Sequence, residues 1–215
     1  MPPATPDQLI AQLNWRYATK QFDPAGTLSD DEIRLLDESL RLAPSSFGLQ
    51  PWTFVVVNDP KLREQMVAHS WGQRQVADAA RLYVLCRRAT LTGADVTEYV
   101  HDVARTTGTP RESLSGYEKM MTGFVAKLSG DQLVEWSEKQ VYIALGSLMT
   151  AAAAAGIDTC PMEGFERAKV DELLNLPAMG LRSVVMCPAG RRAATDKYAA
   201  RKKVRWPREK VFLEI

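Results

Sequence analysis

The longest apolar run of the chain reads Val141-Tyr142-Ile143-Ala144-Leu145-Gly146-Ser147-Leu148-Met149-Thr150-Ala151-Ala152-Ala153-Ala154-Ala155. It is apolar on nearly every side of a helix, and Gly156 follows it as a helix-ending residue. A bilayer span needs about 20 strongly apolar residues, and this run is shorter and rich in alanine. We therefore predict a helix over residues 131–155 that is buried at the centre of a protein with no membrane partner.

The segments before and after this helix predict strands and helices in irregular alternation. Ser29 and Glu32 form a capping box, and Pro44 stops the helix that follows, so a helix is predicted over residues 29–43. A second, short helix is predicted over residues 61–69. Three β-rich apolar runs predict strands, at residues 52–57, 81–86 and 181–187, the last closed by Pro188-Ala189-Gly190. This order favours an α+β fold in layers over a doubly wound sheet.

The rest of the chain adds two less regular segments to what we interpret as one domain, residues 1–215. Residues 88–128 predict a helical excursion that is interrupted at Gly108-Thr109-Pro110, at Gly116 and at Gly123. Residues 191–215 predict a C-terminal arm. Its last apolar residues, Val211-Phe212-Leu213, have nothing obvious to pack on, so we expect the arm to add a strand to a partner subunit.

Composition excludes several classes of protein. The chain is 46% hydrophobic, and its 27 Lys and Arg against 26 Asp and Glu leave a net charge of +1, which gives no general attraction to nucleic acid. The first residues lack the basic cap and apolar run of a secretory signal, so we expect a cytoplasmic protein.

Cys86, Cys160 and Cys187 fit buried thiols, and His69 and His101 are too isolated for a metal cluster. No metal is predicted.

Three separated patches are candidates for ligand binding. Arg16 and Lys20 place two cations just after an apolar segment, where a solvated helix end is the alternative. The loop Ala43-Pro44-Ser45-Ser46-Phe47-Gly48-Leu49-Gln50-Pro51-Trp52 offers hydroxyls and backbone amides beside a strand, although a plain connection would look the same. Residues 191–210 hold nine Lys or Arg against Asp196 and Glu209. Lys203 and Arg205 suit a phosphate clamp, with a charged solvated tail as the alternative.

The order and spacing of the motifs resemble the nitroreductase family from Arg16 to Pro207. The matching motifs are Arg16 with Lys20, Pro44-Ser45-Ser46 with Gln50-Pro51-Trp52, Trp71-Gly72-Gln73-Arg74-Gln75 before Asp78-Ala79, Lys139-Gln140-Val141-Tyr142, Pro161-Met162-Glu163-Gly164-Phe165, and Lys203-Val204-Arg205-Trp206-Pro207. The resemblance implies an α-β-α layered fold with a mixed sheet, and a homodimer that exchanges C-terminal strands and holds two FMN sites at its interface.

The same resemblance implies a role for each matching residue. Arg16, Lys203 and Arg205 look like ligands of the FMN phosphate, and Lys20 and Gln75 look like groups at the pyrimidine edge of the flavin. Ser45 and Ser46 would arrive from the partner chain. The backbone N–H groups of Glu163 and Gly164 resemble those that point at the nitrogen accepting hydride, so these two residues and Lys20 are the candidate catalytic set. The remaining expected FMN contacts are Tyr17, Ala18, Pro44, Gly72, Gln140, Pro161 and Met162.

The activity that the resemblance implies is hydride transfer from NAD(P)H through FMN to a flat, electron-poor acceptor by a ping-pong mechanism. Nitroaromatics, quinones, flavins, pteridines and enones fit that description, and Met120, Met121 and Phe124 are candidates to line the acceptor side, with core packing as the alternative. Three further alternatives stay open: an enzyme of the same fold that acts on flavin itself or on a specialised metabolite, a nucleic-acid-binding protein, and a dimeric scaffold without flavin. The residues do not distinguish NADH from NADPH.

Three positions depart from the commonest pattern of the resembled family. Ala18 stands where serine is frequent, Gly72 where asparagine is frequent, and Gln75 where some members carry lysine. Each change removes a hydrogen bond or a charge from the flavin edge. We therefore expect FMN affinity to depend mainly on the phosphate contacts.

Overall fold

A four-stranded antiparallel sheet lies at the centre of the molecule. The computed structural model describes residues 5–215. The strands are β1 (Trp52–Val56), β2 (Arg81–Arg88), β3 (Asp158–Thr159) and β4 (Leu181–Gly190), in the order β1-β2-β4-β3. Within residues 5–215 every strand pair is antiparallel, whereas a mixed sheet was expected. One isolated parallel bridge, between Ala18 and Thr159, brings the N-terminal segment beside β3.

Helices surround this sheet. They are α1 (Pro6–Trp15), α2 (Asp30–Arg41), α3 (Pro60–His69), α4 (Gln75–Asp78), α5 (Gly93–Thr107), α6 (Ser115–Lys127), α7 (Gly130–Ala154), α8 (Arg167–Leu173) and α9 (Arg208–Val211). The predicted strands and the predicted helices at residues 29–43, 61–69 and 131–155 are present. Ser29 caps α2 through a capping box with Glu32, as its sequence predicts. Within residues 5–215 no helix combines the length and apolarity that a membrane crossing requires.

The α-β-α layering follows from the alternation of side chains along β2. Tyr83 and Leu85 pack on one side with Leu36 and Leu40 of α2 and with the buried face of α7. Leu82, Val84 and Cys86 point to the other side, where α3 and α8 contribute Met66 and Val170. Successive strand residues face opposite sides, so one strand serves both cores. The layered α+β fold is confirmed.

The strand β4 is longer than expected. The sequence predicts that Pro188-Ala189-Gly190 closes it, but the strand includes all three residues. Proline removes only an N–H donor, and the Pro188 carbonyl still accepts from the Cys160 N–H at 3.0 Å. Ala189 and Gly190 pair with Thr159 and Asp158 of β3.

The helical excursion is more regular than expected. A break at Gly108, which has a φ of +70°, is confirmed. The predicted interruptions at Gly116 and Gly123 are wrong, since both lie inside α6. A helical glycine costs only about 1 kcal/mol, and the buried side chains of Met121 and Val125 hold α6 against α5.

The burial of α7 and of the C-terminal arm bears on two predictions from the sequence. The helix α7 is buried on one face only, because Ile143 on the other face is 43% exposed. The C-terminal arm is exposed over residues 204–215 and contains the single turn α9, and a strand exchanged with a partner stays a prediction.

Cys86, Cys160 and Cys187 are free and buried, and burial raises the pKa of Cys86 to about 12, which disfavours a reactive thiolate.

Candidate active site

A cavity of about 500 Å³, here called the basic cavity, lies where the two ends of the chain meet. Its walls are lined by Asn14, Trp15, Arg16, Tyr17, Ala18, Lys20, Arg192, Tyr198, Ala199, Arg201, Lys202, Lys203 and Arg205. Seven of these residues are Lys or Arg, and none is Asp or Glu. Such a wall suits a polyanionic ligand.

The segment of residues 16–20 is fixed at this cavity by polar contacts. The Thr19 N–H donates to the Thr159 carbonyl at 3.2 Å, beside the Ala18 bridge. The buried Asp196 then accepts from the Lys20 N–H at 2.8 Å and from the Tyr17 hydroxyl at 2.8 Å. One carboxylate from the C-terminal arm therefore holds residues 16–20 in place.

Asp196 is ionised under most conditions in spite of its burial. Burial alone raises the pKa of this carboxyl, but the hydrogen bonds that it accepts from Tyr198, Lys20, Tyr17 and Gln21 outweigh that effect and leave the pKa below its ordinary value. Burial, followed by the hydrogen bond to Asp196, raises the pKa of Tyr17 to about 12. Asp196 was not among the predicted site residues, although Asp196 and Glu209 are the only acids in residues 191–210.

Arg16, Lys203 and Arg205 line the same cavity, and their role as phosphate ligands stays a prediction. The Lys203 ammonium donates to the carbonyls of Leu13, at 2.6 Å, and Arg16, which close the end of α1. Burial lowers the pKa of Lys203, and the charges of Arg16 and Arg205 lower it further. The Arg16 Nε is buried and has no hydrogen-bond acceptor within residues 5–215. The charges of Arg16 and Arg205 therefore act against the charged form of Lys203, and an anion bound between these side chains would relieve that effect.

Arg192 is a wall residue that the sequence analysis did not single out. Its guanidinium lies 4.2 Å from the Trp15 ring centroid and 4.6 Å from that of Tyr17. Its Nε donates to Asp158 at 2.8 Å, so its charge is compensated. The only signal for it in the sequence is its place among the nine Lys and Arg of residues 191–210.

A second part of the candidate site is the loop of residues 161–164. The Gln73 side-chain amide donates to the Gly164 carbonyl at 3.0 Å, which joins this loop to residues 71–75. Within residues 5–215, the backbone N–H groups of Glu163 and Gly164 donate to no acceptor, while those of Met162 and Phe165 donate to Met186 and Glu163. Two adjacent free donors are what the predicted role of this loop requires.

Two contacts hold the loop that carries these donors, one through Glu163 and one through Met162. The Tyr142 hydroxyl donates to the Glu163 carboxylate at 2.5 Å, and burial followed by that hydrogen bond raises the pKa of Tyr142 to about 12. Met162 is buried and bridges to Met186, and Pro161 is half-buried. Gln75 is buried at the start of α4, and its side-chain amide makes no hydrogen bond among the described residues.

The departure at Gly72 has a backbone explanation. Gly72 has a φ of +72°, and Trp71 before it has a φ of +55°. Glycine adopts this left-handed conformation without strain, and asparagine is the residue that tolerates it next best. The exchange therefore keeps the turn while it removes one side-chain amide.

The loop of residues 44–48 lies apart from the basic cavity in a single chain. The Ser46 N–H donates to the side chain of Gln140 at 2.8 Å, and Gln140 in turn donates to the Trp136 carbonyl at 3.0 Å. The Ser45 hydroxyl accepts from the Gln50 N–H, and Pro44 is exposed. Ser45, Ser46, Pro44 and Gln140 are absent from the basic cavity's wall.

A second cavity, here called the aromatic cavity, adjoins this loop and measures about 590 Å³. It is lined by Phe47, Gly116, Lys119, Met120, Gly123, Phe124 and Lys127. Met120 and Phe124 line this cavity, and their place on the acceptor side stays a prediction. The prediction for Met121 is wrong: its side chain is fully buried between α5 and α6, where core packing accounts for it.

Comparisons with known proteins agree on one relationship. The model of the nitroreductase family matches residues 13–191. A protein of Staphylococcus haemolyticus assigned as an NAD(P)H nitroreductase is 40% identical over 174 residues, which is 78% of this chain and 79% of that protein. The crystal structure of ydfN from Bacillus subtilis, assigned as a nitroreductase, superposes with a TM-score of 0.84 at 19% identity and covers 97% of this chain and 99% of that one. A protein of Exiguobacterium sibiricum, similarly assigned and solved in complex with FMN, gives 0.80 at 20% identity, covering 100% and 99%.

Proposed function

The chain belongs to the nitroreductase family, and from this premise we propose that the basic cavity holds the phosphate end of FMN in an NAD(P)H-dependent oxidoreductase. The observation that carries the proposal is the convergence of Arg16, Lys203 and Arg205, from both ends of the chain, on one cavity without acidic residues. FMN is the cofactor and NAD(P)H the co-substrate of this enzyme. We treat residues 1–215 as one catalytic domain.

The residues of the basic cavity fit a phosphate dianion. Arg16 offers a buried Nε that lacks an acceptor, and Lys203 uses two of its three N–H donors on carbonyls, which leaves one for a ligand. Charge-assisted hydrogen bonds to an anion would also relieve the repulsion that lowers the pKa of Lys203. Arg205 completes the set from the exposed arm.

The polar edge of the flavin ring would meet Lys20 and the side chain of Gln75. Lys20 is fixed by Asp196 through its backbone, so its ammonium is free to act as a point charge. Tyr17, Ala18 and Gly72 would add backbone and van der Waals contacts along the same edge. A cation at this position stabilises negative charge on the ring and raises its reduction potential.

When bound, FMN supplies the redox chemistry: it accepts hydride from the nicotinamide and passes it to an acceptor in a separate half-reaction. The chain supplies orientation. The free N–H groups of Glu163 and Gly164 would donate to the ring nitrogen that accepts hydride, with Pro161 and Met162 supporting the loop. Tyr142, through Glu163, restrains the loop that carries these donors. No side-chain acid is required.

We propose that the active enzyme is a homodimer in the cytoplasm. Several large apolar side chains are exposed in one chain: Leu9, Ile10 and Leu13 on α1, Ile143 on α7, and Trp206, Phe212, Leu213 and Ile215 in the arm. A second subunit would cover these surfaces and bring Pro44, Ser45, Ser46 and Gln140 to the flavin. The expected acceptors are flat, electron-poor molecules such as nitroaromatics, quinones, flavins, pteridines or enones.

The absorbance spectrum of the purified protein tests this function. We expect flavin bands that bleach on anaerobic addition of NADH or NADPH and that return when a quinone or nitroaromatic is added. Initial rates at several concentrations of both substrates should give the parallel double-reciprocal lines of a ping-pong mechanism. A protein that stays colourless after incubation with FMN would contradict the proposal. If the bleached bands return only when free flavin is added, the enzyme uses flavin itself as its acceptor.

A further inference from the structure

One face of α6 lines the aromatic cavity along its length. The residues on this face follow the three- and four-residue spacing of a helix side: Gly116, Lys119, Met120, Gly123, Phe124 and Lys127. A Cβ atom added at Gly116 or at Gly123 would meet no atom within 4 Å. The two glycines therefore leave open space between larger side chains.

Aromatic rings form the floor of the aromatic cavity. The rings of Phe47 and Phe124 meet edge to face with centroids 5.1 Å apart, and Trp136 packs behind Phe124 at 5.7 Å. The Tyr117 hydroxyl donates to the Phe47 carbonyl at 2.8 Å, which anchors Phe47 at its φ of +59°. The volume of about 590 Å³ is typical of sites for small molecules.

Charge on the rim of this cavity is of one sign. Lys119 and Lys127 lie about 12 Å apart along the helix axis, and the lining contains no Asp or Glu. Within residues 5–215 neither ammonium makes a hydrogen bond or a salt bridge, whereas Lys139 on the next helix pairs with Glu135 at 2.7 Å. An anionic group on a ligand would thus find a cation at either end of the floor.

The aromatic cavity borders the loop that the proposed function places beside the flavin ring. Phe47 follows Ser46 directly, and Gln140 links the Ser46 N–H to the Trp136 carbonyl. Resting on that proposed function, we propose that the aromatic cavity selects acceptors in which a flat, electron-poor ring carries a carboxylate. The ring lies over Phe47 and Phe124, and the carboxylate pairs with Lys119 or Lys127.

A matched pair of ligands tests this selectivity: 4-nitrobenzoate and 4-nitrobenzamide differ in charge but little in size or shape. We expect the oxidised FMN-loaded enzyme, titrated calorimetrically without NAD(P)H, to bind the carboxylate about fivefold more tightly, as for a solvent-accessible ion pair. The ratio of kcat/KM values should show the same preference. Raising the ionic strength should reduce it, because exposed charges are screened.

Charge reversal at the rim gives the decisive comparison. The double variant K119E/K127E should remove or invert the preference for the carboxylate. The double variant K61E/K169E changes the net charge equally at exposed positions outside both cavities and should keep it. A wild-type ratio near one, or a ratio that K119E/K127E leaves unchanged, overturns the proposal. A binding preference without any turnover would support the cavity's selectivity while contradicting the proposed function.

Discussion

The basic cavity and the aromatic cavity are held together by different forces. The walls of the basic cavity are loops and an exposed arm that hydrogen bonds to Asp196 and Asp158 fix in place. The walls of the aromatic cavity are a helix face and a loop that ring packing and a tyrosine hold. Hydrogen bonds to carboxylates therefore hold the walls of one cavity and ring packing holds those of the other, so substitutions in the two cavities should change different properties of the protein.

A substitution in the loop beside the aromatic cavity should destabilise the fold more than substitutions in the basic cavity do. In the variant G48A, a Cβ atom would overlap the Tyr99 hydroxyl at a residue whose φ is +76°. We expect a loss of about 2–4 kcal/mol in the free energy of unfolding, from backbone strain plus overpacking. Urea unfolding checks it. Gly108 is the matched control, since its φ is +70° with no atom near an added Cβ, and G108A should lose only about 1 kcal/mol.

Substitutions in the basic cavity should weaken FMN binding more than they weaken the fold. The variant R16A removes a cation whose Nε is buried without an acceptor, so FMN affinity should fall by about 1.5–3 kcal/mol. The unfolding midpoint of the FMN-free protein should stay constant or rise, because repulsion with Lys203 is relieved. Fluorescence titration and urea unfolding measure the two effects. A clear loss of stability without FMN would mean that Arg16 is mainly structural.

The polar frame of the basic cavity should respond to pH. The variant D196N leaves the Lys20 N–H and the Tyr17 hydroxyl with a weaker acceptor, and we expect a loss of about 1–3 kcal/mol near pH 7. Because the pKa of Asp196 is lowered in the fold, its stabilising contribution is complete above the ordinary pKa of aspartate and is lost as the pH falls through the lowered value. Wild type and D196N should therefore converge in acid, and a constant difference down to low pH would argue against this role.

The smallest effect concerns the open space of the aromatic cavity. The variant G123A should stabilise α6 by about 0.5–1 kcal/mol, because alanine is the better helix former and its methyl meets no atom. The same methyl narrows the cavity, so KM for a nitroaromatic acceptor should rise. Thermal unfolding measures the gain in stability, and steady-state kinetics measures the rise in KM. A rise in stability with an unchanged KM would place the acceptor elsewhere.

Local signals in the sequence were sufficient for most of the fold. The capping box of Ser29 and Glu32 and the β-rich runs around Phe54 and Tyr83 predicted elements that the structure contains. The predictions were wrong where tertiary contacts determine the local secondary structure. Pro188 stays within a strand because its carbonyl is used, and Gly123 stays within a helix because its neighbours are packed.

The candidate site was less accessible to local reasoning. No periodicity joins Arg16 to Lys203, and the resemblance to a family supplied that link before the structure showed the shared cavity. Asp196 and Arg192 were missed because a buried acid and a stacked arginine within a basic tail look like solvated residues. Their roles depend on Tyr17, which is distant in the sequence.

The central claim, that cations from both ends of the chain bind the phosphate of FMN, is tested most directly by comparing FMN with riboflavin, which lacks the phosphate. We expect the wild-type protein to bind FMN about a hundredfold more tightly than riboflavin, given two or more charge-assisted hydrogen bonds. In the double variant K203A/R205A, FMN affinity should fall towards that for riboflavin, while the affinity for riboflavin itself changes little. An undiminished preference for FMN in K203A/R205A would contradict the account.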